Sequence, residues 1–251
     1  MKKIAFITGA TSGIGKATAY ALASHFNLIL CGRRQERLEK IQNELKEKTK
    51  VFTLSFDVRD KDVVFKKIQS LPEEWKNIDI LINNAGNAYG LSPIHEGDIQ
   101  DWDNMIDINV KGLLYVSKAI LPNMIQRETG HIINICSIAG QEVYPKGNVY
   151  CASKYAVDAI TKGMRQDLNP YNIKVTSISP GLVETEFSVV RFHGDQQKAD
   201  NVYKGYQPLT GKDIAEIIEF VVTRPPHVVL ADVLILPVAQ ANSTMVHKHL
   251  S

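Results

Sequence analysis

Tyr150 and Lys154 stand four residues apart in the run YCASK. On a helix that spacing puts both side chains on one face. A phenol, with a reference pKa of about 10, is a poor base at neutral pH, and a neighbouring ammonium favours the phenolate. The pair can therefore exchange a proton with an alcohol or a carbonyl oxygen. Ser137, upstream at the end of an apolar run, carries a hydroxyl that can hydrogen-bond the same oxygen. Asn109 falls in the middle of a long helical pattern, where it can disturb the helix and hold a water near Lys154. Taken singly these residues also have plain readings: a solvated helix face for Tyr-x-x-x-Lys and a solvent-facing amide for Asn109.

A second group of residues suits phosphate. TGATSGIG, residues 8–15, joins an apolar run to a helical pattern. Gly9 permits a tight turn, Gly13 allows close approach of a pyrophosphate, and Gly15 allows close packing behind the turn. The helix start then offers unpaired N–H groups and a positive dipole end to an anion. The glycine spacing is G-x-x-x-G-x-G, and the alternative is a glycine-rich turn that binds nothing. The second apolar run ends Leu30-Cys31-Gly32-Arg33-Arg34, with no acid to hold a ribose 2′-OH. Arg33 and Arg34 stand where a 2′-phosphate would lie, and guanidinium matches phosphate geometry. The alternative is the start of a solvated helix, since Arg37 and Lys40 follow. Asp57 and Val58 would bracket an adenine. NNAG, residues 83–86, follows the fourth apolar run, and its small residues suit a backbone wall; an ordinary strand-to-loop turn would read the same way.

Such groups must be held at one edge of a sheet. Strand-like runs at 4–8, 28–31, 51–56, 78–82, 131–136, 173–178 and 233–236 alternate with helical patterns at 16–26, 35–48, 61–71, 101–126, 150–168 and 213–222. Near-continuous apolar strands in that alternation indicate a parallel sheet covered on both faces. No repeat or linker interrupts it, which implies one domain over residues 1–251. Segment 181–211 breaks the rhythm with no strong period, as expected of a lid or binding loop.

Composition narrows the classes. The 251 residues carry 29 basic and 27 acidic side chains, a net charge of +2 that gives no support to a nucleic-acid grip. Hydrophobic residues make up 44% and charged ones 22%, which excludes disorder and coiled coil. Cys31, Cys136 and Cys151 have neither disulfide-framework nor zinc spacing. They read as small buried residues, and a reducing cytoplasm is the expected setting. The apolar run behind Met1-Lys2-Lys3 is too short for a signal sequence, and no run is long enough to span a membrane.

Together TGATSGIG, NNAG, Asn109, Ser137 and Tyr150-x-x-x-Lys154 resemble the short-chain dehydrogenase/reductase family, over residues 4–238. The resemblance implies an α/β fold, a single Rossmann-type doubly wound domain with a seven-stranded parallel sheet, and chemistry without a metal. It implies Tyr150 as acid/base and Ser137 as the group that orients the substrate oxygen. Lys154 would lower the phenol pKa and hold the nicotinamide ribose, and Asn109 would support a relay water. The cofactor would also meet Thr11, Ser12 and Ile14 in the first turn, Asn84, Ala85 and Gly86 after the fourth strand, and Pro180, Gly181, Val183 and Thr185 after the sixth. CGRRQERLEKIQNEL, LPEEWKNIDILINNAG, GLVETEFSVVRFHGD and PPHV are similar to the NADP-dependent serine and 3-hydroxy acid (allo-threonine) dehydrogenases. Expected accordingly are NADP(H), a small hydroxy acid or its oxo form as substrate, and a homotetramer.

A small hydroxy acid brings a carboxylate that a dry pocket must neutralise. Arg191, Lys198, Lys204 and His193 are the candidate cations of segment 181–211, and Arg191 lies nearest the TEFS run. Arg191 either binds the carboxylate or pairs with a lid acid such as Asp195; backbone N–H groups are a further possibility. Two other functions remain open at this point: reduction of a bulkier carbonyl such as a 3-oxoacyl thioester, sugar or steroid ketone, and NADP(H) sensing without turnover.

Overall fold

The computed structural model describes residues 2–249. In chain order its elements are β1 (Ile4–Ile7), α1 (Gly13–Leu22), β2 (Asn27–Gly32), α2 (Gln35–Leu45), β3 (Val51–Ser55), α3 (Lys61–Gln69), α4 (Glu73–Lys76) and β4 (Ile78–Asn83). There follow α5 (Ile99–Ile106), α6 (Gly112–Gln126), β5 (Gly130–Ile135), α7 (Asn148–Leu168), β6 (Ile173–Pro180), β7 (Val183–Glu184), α8 (Glu186–Arg191), α9 (Gln196–Tyr203), β8 (Leu209–Thr210), α10 (Gly211–Val222) and β9 (Asp232–Ile235).

Seven of the strands form one sheet in the order β3-β2-β1-β4-β5-β6-β9, and every pair in it is parallel. Alternating side chains of β1 feed the two opposite cores. Ala5 and Ile7 join Leu22, Leu38, Ile41, Ile214 and Ile218 from α1, α2 and α10. Ile4 and Phe6 join Val64, Val116, Ile120 and Met124 from α3 and α6. The strands are therefore apolar on both faces because both faces are covered. Strand order reverses between β1 and β4, and a doubly wound sheet opens a crevice at such a reversal, outside the carboxyl ends of its strands. This is a Rossmann-type single domain, as the resemblance implied.

Local chemistry sets the element boundaries. Asp60 and Asp98 cap α3 and α5 through side-chain oxygens, and Thr210 with Asp213 forms a capping box on α10. α1 begins at Gly13, three residues ahead of the expected start, because the glycine turn runs directly into the helix. The segment at 181–211 is not irregular. It folds into β7, α8, α9 and β8, with Thr185 and Asp195 capping the helices by accepting from Phe187 N and Lys198 N. Helices of six and eight residues are too short to display an apolar period, which is why the sequence pattern misses them. The pattern at 101–126 is a helix from Ile99 to Gln126 with one wider turn, Asp107–Lys111, in which Gly112 N donates to Asp107 O. Among the described residues no helix is long and apolar enough to cross a membrane. Cys31, Cys136 and Cys151 are buried free thiols, each pushed above its usual pKa chiefly by burial, which leaves them inert.

Candidate active site

A cavity of about 490 Å³ opens at the carboxyl ends of β1, β2, β4, β5 and β6. Its floor is the first turn. Gly9 and Gly13 adopt φ of +65° and +50°, where side chains are strained. A Cβ on Gly32 would sit 2.6 Å from Thr11 Cγ2, so any side chain there would force Thr11 to shift. Thr8, not singled out from sequence, braces this turn from below: its Oγ1 accepts from both Asn84 N and Ala85 N at 2.9 Å. Asn84 completes the brace by donating Nδ2 to Thr8 O at 2.9 Å.

All of the predicted catalytic and cofactor-binding residues line this cavity except Gly15 and Asn109, and of the candidate lid cations Arg191 does while His193, Lys198 and Lys204 do not. Gly15 lies one layer behind, where a Cβ would come within 2.4 Å of Gly9 O and of Asn84 Nδ2. It shapes the turn without facing a ligand. Asn109 sits in the wide turn and is 2% exposed, so its amide cannot reach open space. Its Oδ1 accepts from Asn87 N at 2.8 Å, and its Nδ2 donates to Asn87 O at 2.8 Å and Ser153 Oγ at 3.0 Å. The side chain expected to support a relay water thereby fixes the 84–87 loop, whose Gly86 lies beside Lys154.

At the far end of the cavity α7 presents Tyr150 and Lys154 on one buried face. Ser137 caps the turn after β5, accepting from Ala139 N at 3.1 Å and donating weakly to Pro180 O at 3.4 Å. Lys154 Nζ donates to Ile135 O at 2.9 Å and lies 5.9 Å from the Tyr150 ring centroid. Burial pulls the lysine below its usual pKa. Burial likewise pushes the Tyr150 phenol up, with Tyr144 adding to it, while the Ser137 hydroxyl and the Arg191 guanidinium act the other way. Two cations thus flank the phenol, the expected Lys154 with Nζ 5.9 Å from the ring centroid and Arg191 with its guanidinium carbon at 5.6 Å.

Arg191 was singled out in sequence, but its setting was not. The guanidinium carbon lies 5.5 Å from the Tyr144 ring centroid and 5.6 Å from that of Tyr150. Nε donates to Gly90 O at 3.2 Å, and Nη2 is buried with no hydrogen-bond partner among the described residues. The pairing with Asp195 does not occur, since Asp195 caps α9 and binds Lys198 at 3.1 Å. His193 is spent on Asp101 at 3.0 Å. Phe187 stands edge-on to Tyr150 at 5.7 Å and helps to close the pocket. Tyr144 lies in none of the sequence motifs, and Phe187, although part of the TEFS run, was not singled out from sequence.

The cavity's other end is basic. Arg34 donates Nη2 to Thr11 Oγ1 and Ser12 Oγ at 2.9 Å. Arg33 is half exposed, with Asp57 as a distant partner at 3.7 Å. Asp57 itself is engaged by Arg59 at 2.7 Å.

The short chain dehydrogenase family model matches residues 3–196. The chain belongs to that family. It is 46% identical over 250 residues to the NADP-dependent 3-hydroxy acid dehydrogenase of Schizosaccharomyces pombe, covering 98% of this chain and 96% of that one. It is 43% identical over 243 residues to sulfoacetaldehyde reductase 2 of Chromohalobacter salexigens, covering 96% of each chain. Among solved structures, the closed form of serine dehydrogenase complexed with NADP+ superposes with a TM-score of 0.93 at 42% identity, covering 99% of this chain and 100% of that one.

Proposed function

We propose that this short-chain dehydrogenase uses NADP(H) to interconvert the 3-hydroxyl and 3-oxo forms of small hydroxy acids of the serine, allo-threonine and 3-hydroxypropionate type. The observation that carries the reading is the Arg191 guanidinium, which lines the cavity with its central carbon 5.6 Å from the Tyr150 ring centroid. A guanidinium beside the proton-transferring phenol can hold an anionic group of the substrate close to the reacting carbon. The similar proteins named above include one named for a hydroxy acid and one for a sulfonated aldehyde. Both substrate classes carry an anionic group near the reacting carbon. Tyr144, Phe187 and Arg191 crowd Tyr150, which favours a small substrate over a thioester or a steroid.

The residues present fit a phosphorylated dinucleotide. The side-chain-free turn at Gly9 and Gly13 suits a pyrophosphate at the start of α1, and Arg33 and Arg34 suit a 2′-phosphate. When bound, the nicotinamide supplies or accepts the hydride. The chain's own residues do the rest. The Ser137 and Tyr150 hydroxyls hold the substrate oxygen, and Tyr150 gives or takes its proton. Lys154 is assigned the nicotinamide ribose, while Pro180, Gly181, Val183 and Thr185 flank the same end. Asn109 acts as a positioning residue through Asn87. Arg191 holds the substrate carboxylate through the part of its guanidinium that faces the cavity.

The test is Arg191→Met on two substrates. Efficiency toward serine or 3-hydroxypropionate should fall about tenfold or more, and toward an uncharged short alcohol it should change little. An equal fall for both would assign Arg191 to lid closure and remove the carboxylate contact. We also infer a homo-oligomer, with a tetramer expected. It is supported by the free outer face of α7, where Ala159 is exposed and a Cβ on Gly163 would meet nothing within 4 Å.

A further inference from the structure

α8 is anchored at both ends, and its two anchors lie at opposite ends of the cavity. At its first residue, Glu186 Oε2 accepts from Arg34 Nη1 at 2.8 Å and Oε1 accepts from Arg37 Nη1 at 2.6 Å. At its last residue, Arg191 O accepts from Gly90 N at 2.9 Å and Arg191 Nε donates back to Gly90 O at 3.2 Å. The guanidinium of Arg34 is thereby shared. One edge faces the first turn through Thr11 and Ser12, and the remaining nitrogen is taken by Glu186. Partial burial raises the Glu186 pKa, yet the bonds from Arg34 and Arg37 outweigh this and hold it below the usual carboxylate range.

We propose that Glu186 is an internal competitor for the cofactor's 2′-phosphate. Its carboxylate occupies arginines that a phosphomonoester at the end of β2 would take, so a bound 2′-phosphate releases the first turn of α8 from the β2–α2 corner. The inference rests on the NADP(H) reading above. A phosphomonoester carries a charge of about −1.5 to −2 against −1 for the carboxylate, and its oxygens match guanidinium geometry. Brought to the same arginines, it both outcompetes Glu186 and repels it. A cofactor without that phosphate leaves the Glu186 pairs in place. The phosphate is thus sensed by the helix whose other end carries Arg191, without touching the reacting groups. Glu186 is a specificity-determining residue: it taxes the phosphorylated cofactor and ties lid freedom to its presence.

The test uses adenosine fragments that lack nicotinamide, 2′,5′-ADP and 5′-ADP, with the full chain. Affinity is read by calorimetry, and the freedom of residues 186–191 by amide hydrogen exchange. In the wild type, 2′,5′-ADP should bind about tenfold or more tighter than 5′-ADP and should raise exchange in 186–191, while 5′-ADP should not. Glu186→Gln should bind 2′,5′-ADP about threefold to tenfold tighter than wild type, with 5′-ADP unchanged. Its 186–191 exchange should be high without ligand and indifferent to 2′,5′-ADP. Glu186→Asp, which keeps the charge, should stay near wild type. If Glu186→Gln binds 2′,5′-ADP no better than wild type, or if the two fragments affect 186–191 alike, the competition does not exist. Equal wild-type affinity for the two fragments would instead overturn the NADP(H) reading itself.

Discussion

The phenol of Tyr150 is held between opposing influences. Burial and the neighbouring Tyr144 disfavour its ionised form, while the Ser137 hydroxyl and the Arg191 guanidinium favour it. Tyr150→Phe keeps the ring packing and removes the transferable proton. Turnover should fall by about a hundredfold or more, with the affinity for NADPH, read by fluorescence titration, within about twofold of wild type. Arg191 gives a second prediction with a definite sign. Removing a positive charge destabilises the phenolate, so the phenol pKa rises. In Arg191→Met the rising limb of the oxidation pH profile should therefore move to higher pH. Measured with an uncharged alcohol, the shift is separate from any loss of carboxylate binding, and an unmoved limb would mean that Arg191 does not act on the phenol.

The turn between β1 and α1 depends on contacts that admit no side chain. A Cβ at Gly15 would meet Gly9 O and Asn84 Nδ2 at 2.4 Å, and the nearer partners are backbone and a braced amide that cannot yield. Gly15→Ala should cost roughly 1–3 kcal/mol of stability by overpacking, read as a lower midpoint in chemical denaturation. It should also weaken dinucleotide binding, although Gly15 does not line the cavity. The wide turn at Asp107–Lys111 is a comparable device. It lets Asn109 point at Asn87 and Ser153, so a helix interior fixes the loop beside Lys154. An ordinary α-helical turn would aim that amide elsewhere.

For the molecule as a whole, His131 makes stability depend on pH in a region remote from the chemistry. It is buried on β5, with Nε2 on Thr176 Oγ1 at 2.9 Å and Nδ1 without a partner among the described residues. Burial, aided by Lys174, lowers its pKa from 6.5 to about 3. Between those values the unfolded chain binds a proton that the folded chain refuses. Stability contributed by the neutral imidazole is full above pH 6.5 and is lost as pH falls toward 3. The slope from this residue is at most about 1.4 kcal/mol per pH unit. Denaturation midpoints measured from about pH 7 to 4 should fall less steeply in His131→Gln than in wild type. The oligomer inference belongs at this scale too: light scattering should report more than one copy at micromolar concentration, and a monomer there would sink it.

The sequence by itself determined what depends on neighbours along the chain. Apolar runs marked every strand of the main sheet, most plainly in β1, β2 and β4, where burial on both faces leaves little polar alternation to obscure them. The four-residue spacing of Tyr150 and Lys154 was sufficient to put them on one face of α7, and the glycines of 8–15 marked the turn that only they can make. Tertiary structure alone decided which charges meet. Asp195 was the acid offered to Arg191, yet its own helix cap claims it, and Glu186 instead reaches back across the fold to Arg34 and Arg37. Lys154 was the cation offered to Tyr150, and the packed chain adds Arg191 as a second cation at a similar distance from the ring. Helical and strand periods are short-range geometry and are written residue by residue. Charge partners and buried amides are chosen by distance and burial in the packed chain, where residues far apart in sequence compete for the same few atoms.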